Sequence, residues 1–285
     1  MIDITAMQPW IGRRTSLKEQ IALAPARKLA GMLDHEHLPN TGDVLPPLWH
    51  WIYFTPEVQQ AEMGTDGHPR LGGFLPPIAL PRRMWAGGRL HFHHPIRIGD
   101  KVTRETVIQA IEHKSGRQGD LVFVTLVHTL STQRGLAIRE EQDLVYRQPA
   151  PQTAQSDAKP TAAKPADWRD SLMPDPVLLF RYSALTFNAH RIHYDLPYTR
   201  DEEGYPGLVV QGPLTATLLA DRLARQALGR LKSFAFRGLQ PLFSGSVLSL
   251  CGVAGATGQV ELWAEGASGG KAMVATAEVE VGHAH

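Results

Sequence analysis

At 285 residues the chain is long enough for about two domains, each able to bury its own core. Its 29 basic and 28 acidic side chains leave a formal charge of +1, which supplies no basic surface for nucleic acid or an anionic membrane. The expected partner is a small molecule. A single cysteine, Cys251, excludes an internal disulfide and a thiol-pair zinc site and fits a reducing cytoplasm. The opening "MIDITAMQPWIGRRTSLKEQ" lacks the apolar core of a signal peptide, and no apolar run approaches the ~18 residues that span a bilayer, so a soluble cytoplasmic protein is expected.

In chain order, the first helix is expected in "PARKLAGMLDHE" from Pro25, followed by the aromatic run "LPPLWHWIYF". The cluster "HFHH", residues 91–94, has the composition of a metal site, but adjacent strand residues face opposite sides, so a structural role is expected and no metal. The runs "VTRETVIQAIE" and "LVFVTLVHTL" are rich in β-formers. Residues 148–167, "QPAPQTAQSDAKPTAAKPAD", contain no aromatic and no Val, Ile, Leu or Met, and read as a linker.

Beyond it, "TFNAHRIHYD" packs two histidines, an asparagine, an arginine, a tyrosine and an aspartate into residues 186–195. A strong helix follows in "GPLTATLLADRLARQALGR": Gly212 and Pro213 suit its start, Leu214, Leu218, Leu219 and Leu223 form an apolar stripe, and Gly229 closes it. Three β-rich runs come last, "VLSLCGV", "QVELWAE" and "VATAEVEV". In the third, Ala275, Ala277, Val279 and Val281 alternate with Thr276, Glu278 and Glu280 at the period of a half-buried strand.

The halves share a proline followed by a glycine four residues on, Pro95/Gly99 and Pro241/Gly245, ahead of their sheets. Two α+β units of one ancestry are therefore expected, packed as a pseudo-dimer: 1–147, a linker 148–167, and 168–285. Each would be an antiparallel sheet wrapped around a central helix.

The order strand, "NAHRIHYD" loop, then "GLVVQGPLTATLLADRL" resembles the hotdog-fold hydratases and dehydratases of acyl thioesters, the MaoC-like or hydratase-2 group. That family's loop carries an aspartate, then asparagine and proline, and a histidine five residues after the aspartate. His193 matches the histidine, Asn188 falls where the aspartate would be, His190 replaces the asparagine and Arg191 the proline. The stretches "GDVLPPLWHWIYF", "GGFLPPIALPRRMWAGGRLHF", "EEQDLVYR" and "NAHRIHYD" together are similar to a narrower branch. It contains the double-hotdog mesaconyl-C4-CoA or itaconyl-CoA hydratases and the mitochondrial-type 3-hydroxyacyl-thioester dehydratases. The resemblance implies an α+β double hotdog whose second half carries the site while the first shapes the substrate tunnel. It also implies a hydro-lyase that takes an acyl-CoA as substrate and needs no cofactor, and a possible homodimer.

Hydrating a double bond conjugated to a thioester needs a base for water, a proton for the α-carbon and donors for the enolate oxygen. His193, a residue type whose unperturbed pKa lies near neutral and which matches the family's histidine, is the expected general base. Asn188 can orient water but cannot titrate, so either His193 handles both protons or another group supplies the second. The N–H of Gly212, at a helix N-terminus, is the expected oxyanion donor. Arg191 stands beside the loop as a permanent cation, able to grip a substrate carboxylate, or else to bind only the coenzyme A phosphates or a nearby acid. His190 either binds substrate or bonds a carbonyl. Gln211, Arg237 and Arg83 complete the expected substrate-binding set, and Asp195 reads as a helix cap. Dehydration of 3-hydroxyacyl thioesters, thioester hydrolysis and acyl-CoA binding without turnover are the other readings; release of free coenzyme A would separate a thioesterase from a hydratase.

Overall fold

The computed structural model describes residues 4–116, 119–148 and 165–280. Most of the expected linker, residues 149–164, lies outside the described residues. The first half runs β1 (Arg14–Gln20), α1 (Leu23–Met32), β2 (Arg82–Phe92), β3 (Lys101–Gly116), β4 (Gly119–Thr132) and β5 (Gly135–Arg147). The second runs β6 (Trp168–Leu172), α2 (Pro176–Thr186), α3 (Leu196–Asp201), α4 (Gly212–Arg225), β7 (Arg230–Gly238), β8 (Leu248–Ala254), β9 (Gln259–Glu265) and β10 (Lys271–Glu280).

All pairings are antiparallel, in the order β1-β3-β4-β5-β2-β7-β10-β9-β8-β6. Reading outward from the β2–β7 seam, each half repeats the same sequence of strands, so the order has a pseudo-twofold at that seam. The two expected sheets thus join edge to edge into one ten-stranded sheet, which leaves neither half with an open edge at the seam. This is the α+β double hotdog.

The proline–glycine repeat marks equivalent turns. Gly99 (φ 103°) and Gly245 (φ 79°) both adopt the left-handed backbone that glycine tolerates. Gly99 N–H donates to Ile21 O just after β1, and Gly245 N–H donates to Pro174 O just after β6. Leu45 N–H to Ile96 O and Val210 N–H to Leu242 O are a second matched pair. On that alignment Pro46 and Pro47 stand where Gln211 and Gly212 stand in the second half.

The central helix α4 starts at Gly212, as its sequence predicts, and buries Leu214, Leu218, Leu219 and Leu223. It packs on β7, β8, β9, β10 and β2. In the first half the expectation for the helix near Pro25 needs correcting. That segment is α1, but it follows β1 as α2 follows β6, and it packs on α2 rather than under the sheet. The place of a central helix is taken by a single 3-10 turn, Trp49–Ile52. The extended backbone of Tyr53 and the left-handed Phe54 (φ 55°) end the turn before it can grow into a longer helix, and Trp49 and Tyr53 fill the volume. No helix of the described residues is long and apolar enough to cross a membrane.

Candidate active site

The polar loop between α2 and α3 is shaped by its own side chains. Asp175 caps α2 by accepting from Leu178 N–H at 2.7 Å, and Phe187, in the left-handed region (φ 49°), ends that helix. Asn188 Oδ1 accepts the His190 N–H at 3.1 Å, a local turn that commits its amide oxygen. A short 3-10 turn, Arg191–His193, follows. Asp195 then caps α3, accepting Tyr198 N–H at 3.1 Å, the role expected of it.

His193 is buried, and its Nδ1 lies 2.7 Å from Val209 O. A carbonyl only accepts, so Nδ1 carries the proton and Nε2 keeps its lone pair. Burial pulls the imidazole down to about 4, against the opposing pull of the Val209 carbonyl. At neutral pH His193 is therefore an uncharged base. Val209 is itself held by its N–H on Ile192 O at 2.9 Å and leads directly into the start of α4. There Gly212 occupies the first turn, where backbone N–H groups have no acceptor within the helix.

His190 is also buried, and its ring packs against both His193 (centroids 5.4 Å apart, edge-on) and His68 (4.1 Å). Burial, with the neighbouring His68 and His193, drives its pKa down to about 2. His68 comes from the long connection between α1 and β2, a segment whose lack of periodicity hid it in the sequence. Its Nδ1 is 2.8 Å from Asp66 Oδ2, and its N–H donates to Asp66 Oδ1 at 2.9 Å. Burial opposes charge on Asp66, but the His68 ring and backbone donors hold it at about 2, so it is ionised. Single ligand atoms of Asp66, His68 and His190 all lie within 4.8 Å of one another. The cluster is already tied together by the Asp66–His68 hydrogen bonds.

This first-half loop is locked to the second-half loop. Arg191 N–H donates to Asp66 O at 2.9 Å, and Arg191 Nη1 to Thr65 O at 3.0 Å. Between Asp66 and His68, Gly67 adopts φ 87°, and a Cβ there would sit 1.8 Å from Ala189 O. Both the backbone and the space exclude any side chain. Gly67→Ala should therefore part the two loops. The expected result is a retained circular dichroism spectrum with kcat/KM down about tenfold, since a displacement of about 1 Å in a site has that effect or more. Wild-type activity in the alanine variant would show that the loops act independently.

The remaining expected residues divide sharply. Arg191 does not hold out a free cation: Nε and Nη2 bond Asp195 Oδ2 at 3.0 and 2.7 Å, and the guanidinium lies over the Tyr198 ring at 4.0 Å. Of the readings open for Arg191, the ion pair with a nearby acid is the one seen here, with Asp195 four residues on. Gln211 is a brace: fully buried, its Nε2 donates to Leu179 O and Ser183 Oγ, both at 2.9 Å, tying α2 to the start of α4. Its Oε1 is buried with no partner. Arg237 is exposed on β7 opposite Gly87 and has no acid partner among the described residues. Arg83, half-buried on β2, also lacks an acid partner among the described residues, and lines a cavity of about 350 Å³ with Asp66, His68, Arg70 and Tyr146.

The double hotdog thus holds a neutral buried histidine against the Val209 carbonyl, three residues before a helix N-terminus. Comparison with known proteins specifies the family. Residues 48–244 match the family model for hydroxyacyl-thioester dehydratase type 2. The chain is 48% identical over 274 residues to a mesaconyl-C(4)-CoA hydratase of Chloroflexus aurantiacus, covering 95% of this chain and 96% of that protein. Among solved structures, a MaoC-like dehydratase from Phytophthora capsici superposes with a TM-score of 0.70 at 14% identity, covering 99% of this chain and 100% of that one. A Mycobacterium tuberculosis protein described as a double hotdog gives a TM-score of 0.59 at 14% identity, covering 94% and 95%. The chain belongs to the hydroxyacyl-thioester dehydratase type 2 family, and it is a hydro-lyase of the hydratase/dehydratase type.

Proposed function

We propose that the protein adds water to the double bond of a short dicarboxylic enoyl-CoA, mesaconyl-C4-CoA or itaconyl-CoA, giving citramalyl-CoA. The observation that carries the chemistry is the His193 Nδ1–Val209 O hydrogen bond, which leaves Nε2 as an acceptor in a buried site. In the forward step Nε2 takes a proton from water as the water oxygen bonds the β-carbon. The π pair moves onto the thioester oxygen, where the Gly212 N–H and the α4 dipole stabilise the enolate. The step as written uses no metal or redox cofactor.

The near full-length likeness to a mesaconyl-C(4)-CoA hydratase supports the substrate class. Arg83 supports it too: with Arg191 taken by Asp195, Arg83 is the cation left beside His68 and His190 to meet the second carboxylate. Arg237, exposed and without an acid, suits a coenzyme A phosphate. The first half supplies no second site in this reading, because Pro46 and Pro47 have no N–H to offer an oxyanion.

A panel of mesaconyl-C4-CoA, itaconyl-CoA and crotonyl-CoA, followed at the absorbance of the conjugated thioester and by mass, tests the reading. The dicarboxylic thioesters should be hydrated with the higher kcat/KM and without release of free coenzyme A. Preference for crotonyl-CoA or longer 3-hydroxyacyl thioesters would move the activity to the family's dehydratase reading. Thiol release without a hydrated product would make the protein a thioesterase.

A further inference from the structure

The loop position that in relatives would bear a carboxylate is Asn188, and its amide oxygen is already taken by the His190 N–H. Among the described residues no carboxylate is bonded to His193, whose ring hydrogen-bonds the Val209 carbonyl. A protonated His193 would thus sit buried without a counter-charge, which makes it a poor resting place for a proton. A half-buried carboxylate, Asp66, reaches the site through His68, then His190.

We propose that His68, carried in from the first half of the chain and backed by Asp66, is the second proton-transfer group of the site, with His190 passing the proton between it and His193. The inference rests on the hydration reading above. Consecutive rings are in contact, with centroids 5.4 Å apart from His193 to His190 and 4.1 Å from His190 to His68. A neutral imidazole has one N–H and one lone pair, so it can accept at one nitrogen while donating from the other. His190 is held neutral by burial and by its neighbours, which suits it to pass a proton rather than keep one.

The balance closes. The proton leaving water bonds to His193 Nε2 while hydroxide adds to the β-carbon and the π pair becomes the enolate. That proton passes through His190 to His68, where the Asp66 carboxylate neutralises the imidazolium. The enolate pair then forms the α-carbon–hydrogen bond with the His68 proton, and the net change is H and OH added to the double bond. The charged and titratable groups facing His68 are Asp66, His190, His193 and Arg83. Burial lowers the His68 pKa, the Asp66 carboxylate opposes that by hydrogen bond and charge, and Arg83 adds to the lowering, so Asp66 is the one neighbour that favours a proton there.

His68→Gln tests the assignment, because the Arg191 bonds to Thr65 O and Asp66 O keep the loop docked without the imidazole. On mesaconyl-C4-CoA and crotonyl-CoA alike, kcat should fall about a hundredfold while KM changes little, as for a lost proton-transfer group. Added imidazole should restore part of the activity of His68→Ala. A His68→Gln kcat within about threefold of wild type overturns the proposal, since general acid–base groups contribute more than that.

Asp66→Asn adds a readout independent of turnover. In the imidazole 15N spectrum of the wild-type protein, His68 should take up a proton at higher pH than His190 or His193, and Asp66→Asn should abolish that difference. This arm reads the proposal even if no enoyl-CoA is hydrated, and a wild-type His68 that protonates with or after the other two refutes it. Loss of wild-type activity on chelation, restored by a divalent metal, would instead make Asp66, His68 and His190 a metal site and overturn the relay.

Discussion

His193→Ala is expected to abolish nearly all hydration, with kcat down by about 10²–10⁴-fold, the usual contribution of a positioned acid–base group. The alanine leaves Val209 O without its side-chain donor, a loss of about 1–3 kcal/mol, and an unchanged circular dichroism spectrum would show that the fold survives it. A variant that retains more than about a tenth of wild-type kcat would show that another group removes the water proton, since the loss expected for a base is larger.

The pH profile carries the same assignment with a definite sign. Burial lowers the His193 pKa from 6.5 to about 4, so the wild-type base stays neutral as pH falls through 6 and 5, and the acid limb of kcat/KM should lie near 4. An acid limb near 6.5 would mean a solvated base. Stability follows from the same shift. Below pH 6.5 the unfolded chain takes up a proton that the native His193 refuses, so stability falls as pH drops from 6.5 towards 4. His190, held at about 2, adds to that loss in the same direction and carries it to lower pH. A His193→Gln variant should show a shallower fall of Tm across that window than wild type.

The second large effect concerns substrate class. Arg83→Met should reduce kcat/KM for mesaconyl-C4-CoA by about a hundredfold, because a charge-assisted, bidentate contact in a sheltered site contributes a few kcal/mol. Crotonyl-CoA has no carboxylate for Arg83 to hold. Its kcat/KM should stay level or rise, since a half-buried cation facing an apolar acyl chain opposes binding. The ratio of the two values cancels any general loss of folding or of coenzyme A binding. Equal losses on both substrates would assign Arg83 to the coenzyme A end or to its cross-strand neighbour Tyr146. Arg191→Met, by contrast, should affect both substrates alike, because that guanidinium holds Asp195 and the Thr65 carbonyl rather than substrate.

The Arg191 outcome shows where local pattern suffices and where it is misread. Arg191 and Asp195 are four residues apart, the spacing at which side chains on a helical turn meet, so their pairing was legible in "RIHYD". The likeness of the loop to a catalytic one set a substrate carboxylate beside that nearby acid as an equal expectation, and sequence spacing alone does not choose between them. Elsewhere the local patterns translate directly. The leucine stripe after Gly212 becomes α4, the alternation of Ala275, Ala277 and Val279 becomes the buried face of β10, and the Pro95/Gly99 and Pro241/Gly245 repeat becomes two matched turns. Each of these is a short-range preference, set by helix or strand periodicity or by the left-handed backbone of glycine, and a sequence displays such preferences without help from the fold.

The identity of the loop histidine, the start of the central helix and the doubling of the unit were therefore written in the chain itself. What joined them into a site was not. The seam between β2 and β7 makes one sheet of two halves, and only that junction brings Asp66 and His68, from an aperiodic connection of the first half, against His190 of the second. The absence of a central helix in the first half likewise follows from how Leu48, Trp49 and Tyr53 fill the space beneath their sheet. Contacts between residues more than a hundred positions apart depend on which surfaces are buried together, and burial is a property of the packed molecule rather than of any stretch of its sequence.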